Sequence, residues 1–232
     1  MRPPARLLLT GAALLVVASC STDSAIAPSR SGAPVISGNP ALRALATPTS
    51  VDFVIPAAGG EVSLLGMYTL SFPANAVCDP NAQDSQDGYA SQSWDASCTA
   101  ATTDIAVHAT LKWSRNRLWV DFAPALRFVP SETVTLSTDV LAPLVRYYGP
   151  GAVAYGLTRG WGIGYNSAIE AAVSDDSKFD ASVRTAINGS TGRISRRVKH
   201  FSGYSLTTGL ACDYSLGDPD CVWFDVPPVW AK

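Results

Sequence analysis

The sequence has few of the side chains on which most enzymes depend. Its 232 residues include two histidines, His108 and His200, and 16% of all residues are charged. Neither a Gly-x-Ser-x-Gly nucleophile elbow nor a His-Glu-x-x-His zinc motif occurs. A Ser-His-Asp site would therefore depend on one of the two histidines. Turnover of an external substrate is not expected.

Cysteine is also scarce, with five residues and no Cys-x-x-Cys spacing. Zinc binding through closely spaced cysteines is therefore not expected, and neither is another metal or a cofactor. Apart from Cys20, the cysteines form an even set, which favours disulfides in an oxidising compartment. The simplest pairing is local: Cys78 with Cys98, and Cys212 with Cys221.

The stretch between Cys78 and Cys98 is rich in aspartate. Oxygen-rich loops bind Ca²⁺, but Asp84-Ser85-Gln86-Asp87-Gly88 lacks the regularly spaced acids and the distant glutamate of an EF-hand. The sequence therefore favours a disulfide-tied surface loop over a calcium site.

Long apolar runs are absent except near the N-terminus. The run from Leu7 to Val17 is too short to span a bilayer comfortably, and it follows Arg2 and Arg6. This arrangement predicts an export signal. The signal ends in Val17-Ala18-Ser19-Cys20, which resembles the lipobox of bacterial lipoproteins.

The lipobox resemblance implies a signal peptide over residues 1–19 and a lipid anchor at Cys20, so that a membrane is a partner. Ser21 at the second mature position favours the outer membrane, with the protein facing the periplasm or the surface of the cell envelope. The alternative is cleavage after Ala25-Ile26-Ala27, which would release a secreted protein. Residues 20–50 are predicted to be a disordered tether, because their composition cannot bury enough apolar area to order the chain.

An excess of positive charge is absent as well. The chain has a formal net charge of −2, and signal removal takes away Arg2 and Arg6 but no acid. Nucleic acid is therefore not an expected partner. A local basic cluster predicts a solvated strand edge whose charges discourage edge-to-edge pairing. Its members are Arg193, Arg196, Arg197 and Lys199.

What the sequence has in quantity is the alternation of apolar and polar residues that is typical of half-buried strands. The clearest case runs from Asp104 to Trp113 and continues, after a turn, from Leu118 to Phe122, which predicts a hairpin. Several such strands predict one all-β domain over residues 51–209. We expect a mostly antiparallel, immunoglobulin-like β-sandwich with disulfide-tied loops. Residues 210–232 are interpreted as a C-terminal disulfide loop and tail.

The predicted hairpin places His108 and Trp119 on the face turned away from the core. An exposed Trp beside polar groups is a surface on which a sugar or a partner's side chain stacks, so a glycan-binding role is one hypothesis. The alternative, which the sequence favours, is that a loop such as residues 78–98 covers Trp119. His108 is interpreted as a strand-surface histidine rather than a ligand or base.

The stretch from Ile194 to Leu206 is unusually free of turn residues and is predicted to be one central strand. In an extended backbone, residues two apart share a face. The prediction therefore places the His200 imidazole and the Ser202 hydroxyl on the same side. The residues expected on this face are Ile194, Val198, His200, Ser202, Tyr204 and Leu206.

The sequence His200-Phe201-Ser202-Gly203-Tyr204, closing a β-rich domain, resembles the end of the ZU5 domain. Three other segments carry the same resemblance: Ile55 to Leu64, Leu70 to Ala76 and Phe128 to Leu136. The resemblance implies a β-sandwich that acts as an interaction or mechanical module without enzymatic activity. It also implies an alternative, because some relatives with the His-Phe-Ser motif cut themselves between Phe and Ser.

Self-cleavage would place Phe201 and Ser202 at the cut and give His200 the role of base. On a flat strand, same-face neighbours lie roughly 6–7 Å apart, so proton transfer needs a kink, which Gly203 would permit. The favoured hypothesis is a lipid-anchored cell-envelope module that binds an unidentified protein or glycan or has a structural role. Self-cleavage and glycan binding are the alternatives.

Overall fold

The structure is a computed structural model that describes residues 40–82, 94–115, 117–149, 161–174 and 176–208. These residues form eleven strands, two short helices and two 3₁₀ turns. The strands are β1 Thr49–Ile55, β2 Gly60–Leu64, β3 Tyr68–Phe72, β4 Ile105–Ser114, β5 Arg117–Ala123, β6 Val134–Thr138, β7 Trp161–Asn166, β8 Val173–Ser174, β9 Ala186–Ile187, β10 Ile194–Val198 and β11 Gly203–Thr208. The helices are α1 Pro40–Ala44 and α2 Ala142–Tyr148, and the 3₁₀ turns are Asp176–Lys178 and Ala181–Val183.

The strands form two antiparallel sheets. One has six strands in the order β1-β4-β5-β11-β7-β8, and the other has five in the order β2-β3-β6-β10-β9. Their apolar residues form one buried cluster, to which both sheets contribute. The protein is therefore an all-β sandwich, as the sequence predicted.

Alternation along the strands explains which side chains form the core. In β4, Val107, Ala109 and Leu111 are buried, and His108 between them is exposed. In β5, which pairs with β4 in a hairpin, Val120 lies opposite Leu111. Because side chains alternate across a strand, one face of this hairpin supplies the core and the other carries mostly polar residues.

The folded domain begins earlier than residue 51. Leu42 in helix α1 and Leu45 just after the helix are buried in the core. The backbone N–H of Trp113 donates to the carbonyl of Leu45 at 2.7 Å. Residues 40–50 therefore belong to the sandwich rather than to the predicted tether. The tether was predicted from the average composition of residues 20–50, which does not reveal that Leu42 and Leu45 pack against the core.

Helix α2 is a feature that the alternation did not indicate. It spans seven residues, with a proline at its start and Leu144 and Val145 buried. A helix of two turns is too short for its periodicity to stand out in a sequence. Proline in the first turn is compatible with a helix because the first N–H groups have no intrahelical partner.

The prediction of one strand from Ile194 to Leu206 is wrong. Strand β10 lies in the five-stranded sheet beside β6, and β11 lies in the six-stranded sheet between β5 and β7. Residues 199–202, here called the crossover, carry the chain from one sheet to the other. Two backbone hydrogen bonds hold them: Phe128 N–H donates to Lys199 O, and Phe201 N–H donates to Leu126 O. Strands that change sheets in this way bend at the corner of a sandwich.

The basic cluster is not a solvated edge either, because β10 is flanked by β6 and β9. Its side chains have specific partners, and Arg196 is almost completely buried. A cation that enters a protein interior needs such partners to offset its lost hydration. The partners are Asp139 for Arg193, Asp176 for Arg196, the carbonyls of Pro130 and Glu132 for Arg197, and Asp95 and Asp180 for Lys199.

The predicted disulfide between Cys78 and Cys98 is confirmed. Cys20, with its predicted lipid anchor, and the predicted Cys212–Cys221 pair lie outside the described residues. Within the described ranges, no helix is both long enough and apolar enough to cross a membrane.

Candidate functional site

The crossover brings together the two side chains that the sequence singled out. Ser202 Oγ lies 3.0 Å from His200 Nδ1, a hydrogen-bonding distance. On a flat strand these groups would be roughly twice as far apart. The bend between the sheets therefore supplies the kink that the sequence argument required.

Aromatic rings enclose the His200 imidazole. Tyr165 from β7 and Tyr204 from β11 lie at ring-centroid distances of 5.4 and 6.0 Å, and the Trp94 ring contacts the imidazole directly. As a result, His200 is only 6% exposed. Ser202 is half-buried beside it.

The backbone on both sides of Ser202 is anchored. The Tyr204 hydroxyl donates to the carbonyl of His200 at 2.8 Å. The Phe201 ring stacks on Phe122 with centroids 4.3 Å apart and meets Phe128 edge-on. The peptide bond between Phe201 and Ser202 therefore joins a side chain fixed in the core to a hydroxyl beside the imidazole.

Burial governs the charge state of His200. It lowers the pKa of the imidazole to about 3, and the positive charge of Arg196 acts in the same direction, while a hydrogen bond to the Phe201 backbone opposes the shift. Folded His200 is therefore neutral at pH 7. An unfolded histidine takes up a proton near pH 6.5. The protein consequently loses stability as the pH falls from about 6.5 towards 3, because the unfolded chain then binds the proton that the folded chain excludes.

Arg196 reaches from β10 into the other sheet. One guanidinium nitrogen donates to the carbonyl of Ile163 in β7 at 2.7 Å, and another pairs with Asp176. The guanidinium also lies 5.5 Å from the centre of the Tyr204 ring in β11. A single buried cation thus links the two sheets next to the crossover.

Gly203 permits the close approach of β11 and β7. A Cβ atom at this position would lie 2.1 Å from Asn166 Nδ2 and 2.6 Å from Asn166 O. Asn166 is fully buried and donates through Nδ2 to the carbonyl of Ala168 at 2.8 Å, while its Oδ1 has no partner among the described residues. The glycine after Ser202 is therefore needed for the packing of β11 against β7.

Trp119 does not offer a binding surface. It is 0% exposed, although it lies on the face of β5 opposite the core. Its Nε1–H donates to the Ser114 carbonyl at 3.3 Å, and the Arg117 guanidinium lies 5.7 Å from its ring centre. The ion pair of Lys112 with Glu170 holds the chain after β7 against the same face. The expectation that Trp119 is covered is confirmed. The loop over residues 78–98 was suggested as the cover, but its residue Trp94 contacts His200 instead.

His108 lies on the strand surface, as predicted. Its Nδ1 is 2.7 Å from Asp52 Oδ1 across the β1–β4 pair, and its Nε2 is 3.4 Å from Thr110 Oγ1. The Asp52 side chain is 88% exposed. The structure does not bring His108 and Trp119 together into one site.

Within the described ranges, no group of three or more His, Cys, Asp or Glu side chains is arranged to hold a metal ion. Sequence reasoning missed Trp94 and Tyr165, which enclose His200, and the inward orientation of Arg196. Trp94 and Tyr165 are remote from His200 in the sequence, and Arg196 was assigned to a solvated edge. No local pattern connects these residues with His200. The predicted disulfide loop was the only sequence feature that drew attention to the neighbourhood of Trp94.

A comparison with protein-family models found no matching family, and comparisons with curated proteins and with solved structures found no match. The described geometry defines the class of protein as an all-β sandwich with an enclosed His-Ser pair at the crossover between its sheets.

Proposed function

We propose that this protein is a lipid-anchored module of the bacterial cell envelope, ZU5-like in its sequence motifs, with a binding or structural role. The observation that carries the non-enzymatic part is the enclosure of His200, which leaves 6% of the residue exposed. An external substrate would have to reach the imidazole through Trp94, Tyr165 and Tyr204. Substrate sites of enzymes are open clefts lined by a few accessible polar groups.

The anchor is tested by replacing the predicted lipidated cysteine. We expect the wild-type protein, expressed in a diderm bacterium, to incorporate a labelled fatty acid and to fractionate with membranes. Cys20→Ala should abolish both properties, whereas Cys212→Ala should leave them unchanged. A wild-type product that starts after Ala27 and is found in the soluble fraction would refute the anchor and favour secretion.

Self-cleavage is a second candidate function, and a specific contact favours it. The 3.0 Å distance between Ser202 Oγ and His200 Nδ1 is that of a nucleophile and its base. The same enclosure that excludes external substrates leaves the chain's own Phe201–Ser202 peptide bond within reach. The imidazole is neutral at pH 7, so Nδ1 is free to accept a proton when Nε2 carries the ring hydrogen.

The reaction would proceed by an N-to-O acyl shift. Ser202 Oγ attacks the carbonyl carbon of Phe201 while its proton passes to His200 Nδ1. The bond between that carbon and Ser202 N then breaks, and the nitrogen takes the proton from the imidazole. Water hydrolyses the resulting ester, which leaves a carboxylate on Phe201 and restores the hydroxyl of Ser202 together with a free amine. A base of such low pKa is weak, so we expect slow, single-turnover processing.

The intact mass of the denatured, reduced ectodomain, residues 21–232, tests this candidate. Self-cleavage predicts two fragments that meet at Phe201 and Ser202, and hydroxylamine should accelerate their appearance because it attacks the ester. Ser202→Ala should remain whole, and Ser202→Cys should still be cut because a thiol also attacks carbonyl groups.

Ser195→Ala is the matched control, because Ser195 lies in β10 outside the crossover. It should be processed like the wild type. A wild-type chain that keeps its full mass after prolonged incubation with hydroxylamine would refute self-cleavage and leave the passive module.

A further inference from the structure

The disulfide-tied loop returns to the crossover and packs against His200. The Trp94 ring contacts the imidazole with an angle of 61° between the ring planes, and it meets Tyr165 edge-on at 6.4 Å. Trp94 is itself 37% exposed. The indole therefore stands between His200 and solvent.

The residues after Trp94 are bonded to two chain segments. One is the segment that carries His200, and the other is the neighbouring segment that carries Arg127. The Asp95 carboxylate pairs with Lys199, the residue before His200. The carbonyl of Ala96 accepts a hydrogen bond from Arg127 Nη2 at 2.6 Å. Arg127 in turn forms an isolated β-bridge with His200.

The disulfide fixes the far end of this short stretch. Residues 94–98, here called the covering segment, end at Cys98, which is bonded to Cys78. The backbone N–H of Cys78 donates to the carbonyl of Arg127 at 2.9 Å. The covering segment is therefore held at its middle by Arg127 and at its end by a cysteine that is hydrogen-bonded to the same residue.

We infer that Trp94 and Asp95 are positioning residues that keep His200 enclosed beside Ser202, and that the Cys78–Cys98 disulfide holds them in place. The consequence for chemistry rests on the self-cleavage candidate, whereas the enclosure itself does not. Disulfides form and persist in oxidising environments, so the export proposed above would allow the cover to form.

The cover determines whether water reaches the imidazole. Enclosure disfavours the protonated form, which keeps Nδ1 available as an acceptor. The charged groups around the histidine are Arg196 from β10, Lys199 and Arg127, while Tyr165 and Tyr204 face it from the six-stranded sheet. Lys199 is paired with Asp95 and Asp180, and Arg196 with Asp176. With these neighbours unchanged, removing the indole should alter mainly the hydration of His200.

The experiment is an NMR titration of the histidine-labelled ectodomain, purified without a histidine tag. The chain has two histidines, so His108, exposed on the sheet surface, serves as an internal reference. In the wild type, His200 should remain neutral down to about pH 3. Trp94→Ala should raise its pKa by at least one unit towards the ordinary value of about 6.5, a tenfold change in proton affinity.

The Cys78→Ala/Cys98→Ala variant should raise the pKa of His200 in the same direction, and Trp94→Phe should keep it low because a ring still covers the site. The NMR signals of His108 should be the same in every variant as in the wild type. If His200 titrates identically in the wild type, in Trp94→Ala and in the cysteine variant, the inference is overturned.

Two further readouts separate this inference from self-cleavage and from misfolding. Native amide dispersion and an unchanged His108 signal establish that each variant is folded. The intact mass of every sample reports cleavage independently of the titration. A raised pKa of His200 in the Trp94→Ala and cysteine variants, together with a wild-type chain that stays uncut, would support the cover and refute self-cleavage. An unchanged pKa of His200 in these variants, together with a wild-type chain that cuts itself, would refute the cover and support self-cleavage.

Discussion

Replacement of Asp176 by alanine should lower the free energy of unfolding by about 3 kcal/mol. The guanidinium of Arg196 would lose its counter-charge while remaining buried between the sheets, since its side chain is 2% exposed. The carbonyl of Ile163 would still accept one hydrogen bond from it. That bond does not neutralise the charge, and removal of one partner of a buried pair typically costs about 3–5 kcal/mol. The lower end applies because Asp176 is partly exposed, so water can reach the vacated position.

Urea denaturation of two alanine variants measures the effect. Asp139→Ala is the matched control, because Asp139 pairs with Arg193 and both side chains are about half exposed. Exposed pairs contribute roughly 0–1 kcal/mol, so this variant should be nearly as stable as the wild type. Equal losses from the two substitutions would contradict the assignment of Arg196 as a buried link between the sheets.

A second substitution identifies the cause. Arg196→Met in the Asp176→Ala background should recover part of the lost stability, because an apolar side chain of similar length removes the uncompensated charge. A double variant less stable than Asp176→Ala would mean that the hydrogen bond to Ile163 and the contact with Tyr204 matter more than the charge.

Gly203→Ala should also destabilise the protein strongly, by about 3 kcal/mol or enough to prevent folding. The new methyl group would lie 2.6 Å from the backbone oxygen of Asn166 in the neighbouring strand. A side-chain clash can be relieved by a rotamer change, but this contact requires β11 and β7 to move apart. Thermal or urea denaturation measures the loss.

Gly66→Ala provides the comparison, since a Cβ atom there has no heavy atom within 4 Å and only its positive φ of 70° disfavours alanine. It should cost about 1–2 kcal/mol. Asn166→Ala in the Gly203→Ala background should not restore stability, because the backbone oxygen remains. Full recovery in that double variant would show that the Asn166 side chain, rather than the strand spacing, requires glycine.

The alternating strands were the part of the fold that could be predicted from local sequence. Residues 104–123 show why: a hairpin buries one face, so every second side chain records its orientation. Helix α2 and the burial of Leu42 could not be predicted in this way. A seven-residue helix and two isolated leucines have no period long enough to distinguish them from irregular chain.

The candidate site, too, could be predicted only in part from the sequence. The motif around His200 and Ser202 and the disulfide between Cys78 and Cys98 were found in the sequence. The contact of Trp94 with His200 could not be found, because it joins positions more than a hundred residues apart. Trp119 shows the converse: its outward orientation was predicted correctly, but its burial depends on chain that packs over the sheet.

The sequence by itself determined that this protein is built of antiparallel strands and that an imidazole and a hydroxyl stand two residues apart just before its last described strand. Only the tertiary structure decided that the stretch carrying them changes sheets between β10 and β11. Strands β10 and β11 have the same alternating pattern. Their preference for an extended backbone is satisfied equally well whether they lie in one sheet or in two. The choice is made by long-range packing, since Arg196 finds Asp176, Phe201 finds Phe122, and Gly203 finds Asn166 only when the chain crosses.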